Sequence, residues 1–298
     1  MTLAEAGVES APVDALYLAA HLMGQDVGEV RRRMVVGGVE APEGYDDLVA
    51  ERATRIPLQH LTGRAYFRGL ELRVGPGVFV PRPETELLVD LALRVLAGRR
   101  SPVVVDLATG SGAIALSVKQ EHPGAEVYAV ELSELAYGWA VANRDRLGLD
   151  VTIEQGDARV AYAELRGHVD LVTCNPPYIP KGQVPVDPEV RDHDPELALY
   201  GGSADGLALP LAMAAHAATL LPAGGVLVME HAETQGASLP RALAATGAWG
   251  RVIDHPDLLG RPRALVAVRA AETSAETSAE TSMETQEPGP TDDIGSAP

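Results

Sequence analysis

The clearest candidates for chemistry are the four residues Asn-Pro-Pro-Tyr at positions 175–178. The apolar run at 171–174 that precedes them is typical of a buried parallel strand, and two consecutive prolines end its pairing because neither has an N–H to donate. The side-chain oxygen of Asn175 and the carbonyl of Pro176 are both acceptors, so together they can hold the two hydrogens of one NH₂ group. The ring of Tyr178 can lie against a planar target. We therefore predict a site for a planar group that ends in NH₂, such as an amide or a nucleobase amine. The plain alternative is a proline-stiffened strand exit with a turn asparagine.

Three further candidates follow successive predicted strands. A glycine loop at 108–112 comes after the first strand, Glu131 ends the second, and Asp157 comes just after the third. Ligands bind at the carboxyl ends of strands in open α/β sheets, and a glycine loop lets the backbone approach them. An acid at the tip of the second strand can accept from both ribose hydroxyls. This pair of features fits NAD, FAD or S-adenosylmethionine.

The spacing of the glycine loop separates these cofactors. The loop reads Asp106-x-x-x-Gly110-x-Gly112, whereas the dinucleotide fingerprint is G-x-G-x-x-G directly after the strand. The retained acid at the strand end and the shorter spacing favour S-adenosylmethionine. Asp157 could then accept from the amino group of adenine.

The elements that must position these residues alternate between strand and helix. Apolar runs predict strands at 103–107, 127–131, 151–154, 169–174 and 226–230, with a last pair at about 250–254 and 263–268. Helical spacing predicts helices at 113–120, 135–147 and 207–221, the last of them after a long polar loop. The alternation predicts an α/β fold with a doubly wound, Rossmann-like, mainly parallel sheet.

The chain divides into segments of different character. We predict a helical domain at 1–64, a linking β-hairpin at 65–80, a main domain at 81–270 and a disordered acidic tail at 271–298. Helices in the first segment are predicted at about 14–23, 27–35 and 45–55, and we expect this domain to dock the substrate. The loop at 79–86 is either a simple helix cap or a lid on the cofactor site. The tail carries three Ala-Glu-Thr-Ser repeats with seven acidic and no basic residues.

Composition narrows the class of protein. The 298 residues carry a net charge of −18, which argues against binding along a nucleic-acid backbone. The one cysteine, Cys174, allows no disulfide within the chain, so we expect a reducing compartment, the cytoplasm. We see no secretory signal and no apolar run near the ~20 residues that span a bilayer. The eight histidines show no metal spacing, and we expect a monomer without a metal.

Several longer motifs carry a resemblance to a known family. From about residue 14 to residue 269 the chain resembles the glutamine methyltransferases that modify peptide chain release factors. The shared motifs are Pro-Leu-Gln-His-Leu-Thr-Gly at 57–63, Phe-x-Pro-Arg-Pro-Glu-Thr-Glu at 79–86, Thr-Gly-Ser-Gly at 109–112, Asn-Pro-Pro-Tyr-Ile at 175–179, a Pro-x-x-Ala-Leu-x-Gly-Gly-x-x-Asp-Gly-Leu segment at 195–207 and Glu-x-x-x-x-Gln-Gly at 230–236. The motif at 79–86 and the helical N-terminal domain are the specific ones, because the motif at 175–178 is shared with several amino-group methyltransferases.

The resemblance implies a class I methyltransferase sheet and a role for each candidate. It implies that the methionine end of S-adenosylmethionine lies on Ala108, Thr109, Gly110, Ser111 and Gly112, the ribose on Glu131, and the adenine near Asp157 and Ala158. It implies that a target amide lies on Asn175, Pro176, Pro177 and Tyr178, with Asn175 also at the methyl end of the cofactor and the Gln of a Gly-Gly-Gln loop in release factors as the substrate. Two positions depart from the family. Ala108 replaces a usual glycine, which we expect to require a negative φ. Ala158 replaces a large side chain that often covers the adenine, which bears on cofactor affinity.

An amide nitrogen is a poor nucleophile, because its lone pair is delocalised into the carbonyl. We predict that Asn175 Oδ1 and the Pro176 carbonyl accept both N–H bonds of a glutamine side chain, which aims the nitrogen at the sulfonium methyl group. We see no candidate general base. Three alternatives stay open: a glutamine in a ribosomal protein, an amino group on a nucleic-acid base, and a non-catalytic scaffold that senses the cofactor.

Overall fold

Four helices form the N-terminal part of the protein. The computed structural model describes residues 2–271, so the predicted tail lies outside the described residues apart from its first position. The helices are α1 (Ala11–Met23), α2 (Val27–Gly37), α3 (Tyr45–Ala53) and α4 (Leu58–Thr62). Gly24 ends α1 in the left-handed conformation, and the Asp26 side chain caps α2 by accepting from two backbone amides. The first three helices match the prediction, whereas the five-residue α4 was not predicted.

A β-hairpin follows directly. Strands β1 (Arg64–Phe67) and β2 (Leu70–Arg73) pair antiparallel, with Phe67 opposite Leu70. The two turn residues, Arg68 and Gly69, have φ values of 49° and 77°. Positive φ at both central residues is the backbone of the tight turn that matches the twist of paired strands. A hairpin is therefore present at 64–73, shorter than the predicted 65–80, and its role as a linker between domains stays a prediction.

The rest of the described chain builds one seven-stranded sheet. Its strands are β3 (Val103–Leu107), β4 (Glu126–Glu131), β5 (Val151–Gln155), β6 (Leu171–Cys174), β7 (Val226–Glu230), β8 (Trp249–Pro256) and β9 (Pro262–Arg269). They lie in the order β5-β4-β3-β6-β7-β9-β8, and only β9 runs antiparallel to its neighbours. The strand order reverses between β3 and β6, so a crevice is expected at the carboxyl ends of these two strands.

Helices cover both faces of this sheet. They are α5 (Glu86–Leu96), α6 (Ala113–Glu121), α7 (Glu134–Leu147), α8 (Pro188–His193), α9 (Glu196–Leu199), α10 (Ala208–Leu220) and α11 (Ser238–Ala245). Along β6, Leu171 belongs to one apolar cluster and Val172 to the other, so the strand is buried on both faces. A sheet buried on both faces explains the continuous apolar runs that mark its strands in the sequence.

The prediction of one long polar loop between β6 and α10 is wrong. It contains the two short helices α8 and α9, and Ile179 forms a parallel bridge with Tyr200. The prediction failed because helices of six and four residues show too few turns to display a helical period. This ordered segment lies over the carboxyl edge of the sheet, where it contributes to the cavity described next.

Candidate active site

A cavity of about 410 Å³ opens at the carboxyl ends of β3, β4, β5 and β6. This volume falls within the range of small-molecule sites, roughly 300–1,000 Å³. The structure brings ten of the predicted site residues to its wall: Ala108, Thr109, Gly110, Ser111, Glu131, Asp157, Ala158, Asn175, Pro177 and Tyr178. Gly112 and Pro176 do not line the cavity. The sequence analysis missed several apolar wall residues, among them Ile114, Leu132 and Ala136.

Asp106 anchors the glycine loop from beneath. Its buried carboxylate accepts from the hydroxyl of Thr109 at 2.6 Å and from that of Thr173 at 2.7 Å. Burial raises the pKa of Asp106 to about 6, against the effect of these hydroxyl groups. The loop is therefore tied at once to the end of β3 and to the neighbouring strand β6.

The predicted backbone conformation of Ala108 is wrong. Its φ is +61°, in the left-handed region, and not negative as the sequence analysis required. An L-residue pays roughly 1–2 kcal/mol for this conformation. The loop nevertheless keeps its course, because the amide of the next residue, Thr109, donates to the Val130 carbonyl at 3.0 Å. A residue type alone could not reveal that the tight turn holds its alanine in this way.

Glu131 joins the end of β4 to the glycine loop. One carboxylate oxygen accepts from the Gly110 amide and the other from the Ser133 amide, both at 2.8 Å. Burial raises the pKa of Glu131, and these backbone donors act in the opposite direction. Each oxygen retains a lone pair that could accept from a ribose hydroxyl. A Cβ at Gly110 would meet nothing within 4 Å, so open space lies beside the loop.

Asp157 and Ala158 form the far wall. The Asp157 carboxylate pairs with the Arg159 guanidinium at 2.6 Å, which lowers the pKa of Asp157. Its oxygens are therefore shared between the cavity and Arg159. Ala158 is buried at the end of the same loop.

The Asn-Pro-Pro-Tyr corner lies opposite. Asn175 is half-buried, and its Nδ2 donates to Thr85 Oγ1 at 3.4 Å. Asn175 lines the cavity, and within residues 2–271 no protein donor contacts its Oδ1, which stays available as an acceptor. The Tyr178 hydroxyl donates to Glu230 at 3.1 Å, and the Tyr178 carbonyl accepts from Gln235 Nε2 at 2.9 Å. The corner is thus held from behind by the last motif of the sequence, Glu230 to Gly236.

Comparisons with known proteins cover most of the chain. The PrmC N-terminal domain family matches residues 1–63, and the Methyltransferase small domain family matches residues 69–187. A release factor glutamine methyltransferase from Streptomyces coelicolor is 50% identical over 90% of this chain and 94% of its own length. The protein belongs to the release factor glutamine methyltransferase family.

Two other relatives show how far this likeness extends. A Streptomyces pristinaespiralis protein named as a 4-amino-L-phenylalanine/4-methylamino-L-phenylalanine methyltransferase is 42% identical over 83% of this chain and 85% of its own. A solved 16S rRNA methyltransferase from Thermus thermophilus is 23% identical, with a TM-score of 0.51 over 69% of this chain and 49% of that one. The second match concerns the fold alone. It agrees with the class I methyltransferase fold. Family membership confirms the enzyme class and S-adenosylmethionine as methyl donor.

The loop at 79–86 contributes a wall of the methyltransferase cavity. Phe79, Pro81, Arg82 and Thr85 all line it, and a single 3-10 turn, Pro83–Thr85, then opens α5. The Arg82 guanidinium lies 5.3 Å from the centre of the Phe79 ring and 2.9 Å from Asp194. The loop therefore lines the cavity and also begins the helix, whereas its role as a lid stays a prediction.

A buried ion-pair network connects the N-terminal helices of this family member to the other wall. The Arg52 guanidinium contacts Asp14 of α1 and Glu189 of α8, each at 2.7 Å, and Arg55 contacts Glu189 at 2.5 Å. Burial acts to raise the pKa of Glu189, but hydrogen bonds from Arg55 and Arg52 outweigh it and lower the pKa to about 2. The next residue of α8, Val190, lines the cavity. Sequence reasoning missed this network, because Glu189 lies more than a hundred positions from both arginines.

Two other kinds of feature are absent from the described residues. Among residues 2–271 no group of three or more His, Cys, Asp or Glu side chains could hold a metal ion. No helix in the described part of the chain is long and apolar enough to cross a membrane.

Proposed function

We propose that this enzyme transfers a methyl group from S-adenosylmethionine to the side-chain amide nitrogen of a glutamine in a peptide chain release factor, the Gln of a Gly-Gly-Gln loop. The observation that carries the proposal is that Asn175 lines the same cavity as the glycine loop and that no protein donor in residues 2–271 contacts its Oδ1. The relatives of this chain that are named for release factors support the choice of acceptor. A translation factor as substrate would place the enzyme in the cytoplasm.

The residues of the cofactor half fit S-adenosylmethionine. Glu131 has acceptor capacity left for the ribose, and the Gly110 backbone leaves room for the methionine end. Ile114 and Leu132 supply apolar surface. When bound, the cofactor supplies an electrophilic methyl group on a positively charged sulfur. The chain itself has only to bind and orient it.

The acceptor half deals with the weak nucleophile. Asn175 Oδ1 accepts one N–H bond of the glutamine amide, and the Pro176 carbonyl accepts the other. Pro176 is buried and does not line the cavity in this structure, so its carbonyl has to become accessible when the substrate binds. The rigid Pro176-Pro177 backbone fixes the distance between these acceptors. Acceptors placed on the N–H bonds stabilise the positive charge that develops on nitrogen as the methyl group arrives. The proton becomes acidic at that point and needs no base before transfer. Tyr178 presents its ring to the planar amide.

Acceptor specificity is the part of this proposal that an experiment should test first. The enzyme would be incubated with methyl-labelled S-adenosylmethionine and, separately, a release factor, total ribosomal protein, RNA and free 4-amino-L-phenylalanine. We expect label on the release factor alone, at its Gly-Gly-Gln glutamine when mapped by mass spectrometry. A release factor with that glutamine changed to alanine is the matched control. Label on the small amine or on RNA, with an unlabelled release factor, would overturn the proposed acceptor.

A further inference from the structure

Glu230 is a buried acid that the mechanism above does not use. It ends β7, is 3% exposed, and lies one position beyond the pair formed by Cys174 of β6 and Met229 of β7. The parallel register therefore places Glu230 beside Asn175 at the edge of the sheet. Its Oε1 accepts from the Tyr178 hydroxyl at 3.1 Å. In the described part of the chain no donor is aligned on its Oε2. A buried acid with an unused oxygen directly behind the acceptor corner needs an explanation.

Thr85 lies between this acid and Asn175. Its Oγ1 accepts from Asn175 Nδ2 at 3.4 Å. Burial raises the pKa of Glu230, and the Thr85 hydroxyl is first among the neighbours that lower it. Glu230 Oε2 has no hydrogen-bond partner with good geometry, so the bond from the Thr85 hydroxyl to this oxygen is part of the inference. Thr85 is itself 4% exposed. It is fixed at the end of the 3-10 turn that opens α5.

When Glu230 is ionised, the donor count along the row Glu230, Thr85 and Asn175 has one solution. A threonine hydroxyl has a single proton, and a carboxylate can only accept. When the Thr85 proton goes to Glu230, Thr85 can meet Asn175 only as an acceptor. Asn175 must then turn its NH₂ group toward Thr85 and its Oδ1 toward the cavity. The reverse amide orientation has the same shape but would present a donor to the donors of the substrate amide.

We propose that Glu230 and Thr85 are positioning residues, which set the amide orientation of Asn175 so that its oxygen, and not its nitrogen, faces the target NH₂ group. The inference rests on the proposed function, because orientation matters only if Asn175 accepts from an amide. Neither residue touches the reacting atoms in this arrangement. Both act through Asn175, and the Tyr178 hydroxyl holds the other oxygen of Glu230.

Three variants test the direction of the hydrogen bonds that connect Glu230, Thr85 and Asn175. The assays use a release factor as substrate and saturating S-adenosylmethionine. Thr85→Val keeps the shape and removes the acceptor, and should lower kcat about tenfold, the size expected for one hydrogen bond. The amide of Glu230→Gln can donate to Thr85, which then donates to Asn175 and turns the Asn175 amide over. This variant should lower kcat more than Thr85→Val does. Thr85→Ser restores the hydroxyl and should recover most of the turnover. Cofactor affinity, measured by calorimetry, should change less than about twofold in all three.

A double variant separates positioning from a structural role. If Thr85 acts only through Asn175, Thr85→Val adds nothing to the loss already caused by Asn175→Ala, as expected for residues in one hydrogen-bonded unit. Independent, multiplying losses would overturn the inference, as would wild-type kcat in Thr85→Val or in Glu230→Gln. If Thr85→Val does not fold, Glu230→Gln decides the outcome alone. Failure of the proposed function looks different, since wild-type enzyme would then leave the release factor unlabelled.

Discussion

The cofactor half and the acceptor half of the cavity are built in different ways. The cofactor half consists of the glycine loop and Glu131, tied by backbone amides and by Asp106 within the span of β3 and β4. The acceptor half consists of the Asn175 corner, covered by segments that reach it from distant parts of the chain. Its supports are side chains: Thr85 from the start of α5, Glu230 from β7, and Glu189 held by Arg52 of the N-terminal helices.

We infer from this difference that the acceptor half can change turnover while cofactor affinity stays the same. The loop beside Ala108 is held by a bond between two backbone groups, from the Thr109 amide to the Val130 carbonyl, so this position of the cofactor half tolerates a change of residue type. Side-chain supports fail one residue at a time, and a failure in the acceptor half should change turnover without changing cofactor affinity. Mutations that damage both halves equally would contradict this division. The four predictions that follow test it, from the largest expected effect to the smallest.

Removal of Arg52 should have the largest effect. Arg52→Met leaves Asp14 without its charged partner and takes one of two partners from Glu189, in a region where both arginine contacts are buried. Breaking a buried pair in this way costs roughly 3–5 kcal/mol of unfolding free energy. We expect urea unfolding to show this loss of unfolding free energy, and we expect slower turnover of a release factor. Cofactor affinity should stay within about threefold of wild type if the cofactor half is independent.

The control for the Arg52 variant is an exposed ion pair on α8, the helix that carries Glu189. Arg191→Ala removes a contact to Asp192 in which both side chains are more than 40% exposed, and should cost no more than about 1 kcal/mol. A pH series adds a second check. Because the pKa of Glu189 is lowered to about 2 in the folded state, its contribution to stability is complete above the ordinary glutamate pKa and is lost as pH falls toward 2. Glu189→Gln should lack this part of the acid transition, and equal acid transitions would contradict the role of the network.

Asn175→Ala should lower kcat by about 10²-fold, the scale of one oriented transition-state group. The reason is that the Pro176 carbonyl alone can accept only one of the two amide hydrogens in the proposed geometry. Single-turnover rates with a release factor provide the measurement, and calorimetry should show unchanged cofactor affinity. Gln120→Ala removes an exposed carboxamide near the far end of α6 and is the matched control, with turnover within about twofold. A variant at Asn175 with nearly normal turnover would remove the acceptor corner from the mechanism.

The two halves also differ in how well the sequence predicts them. Local patterns located the strand ends, the glycine loop and Glu131, because a strand, a turn and an acid at its tip are all written within about thirty residues. The acceptor corner was recognisable from Asn175 to Tyr178 itself. Its supports were not, since Arg52 and Glu189 meet only in the folded chain. The neighbourhood of Asn175 and Glu230 could have been inferred once the parallel register of β6 and β7 was known.

Glu131→Gln should raise the dissociation constant of S-adenosylmethionine about tenfold. The neutral amide keeps one acceptor oxygen where two backbone donors now meet two oxygens, so one amide, of Gly110 or Ser133, loses its partner. An unpaired buried donor costs about 1–3 kcal/mol. Calorimetry measures the affinity, and kcat at saturating cofactor should fall much less. Glu134→Gln, at an exposed position three residues further on, is the control. Equal losses in kcat and affinity would show that the two halves are not independent.

Ala108→Gly should have the smallest effect, and of opposite sign. Ala108 adopts a φ of +61°, which glycine reaches without the steric cost that an L-residue pays, so the variant should gain up to about 1 kcal/mol in unfolding free energy. The Tm should rise by a few degrees at most, on the order of 2–4 °C for a chain of this size. The mirror-image control is Gly148→Ala, which places alanine at a φ of +65° after α7 with nothing within 4 Å of its Cβ. That change should cost about as much as the first one gains. Because backbone hydrogen bonds already hold the loop, cofactor affinity should shift less than about threefold in Ala108→Gly. A larger gain in affinity would mean that the strained alanine limits cofactor binding, and that the cofactor half is less tolerant of side-chain identity than its hydrogen bonds imply.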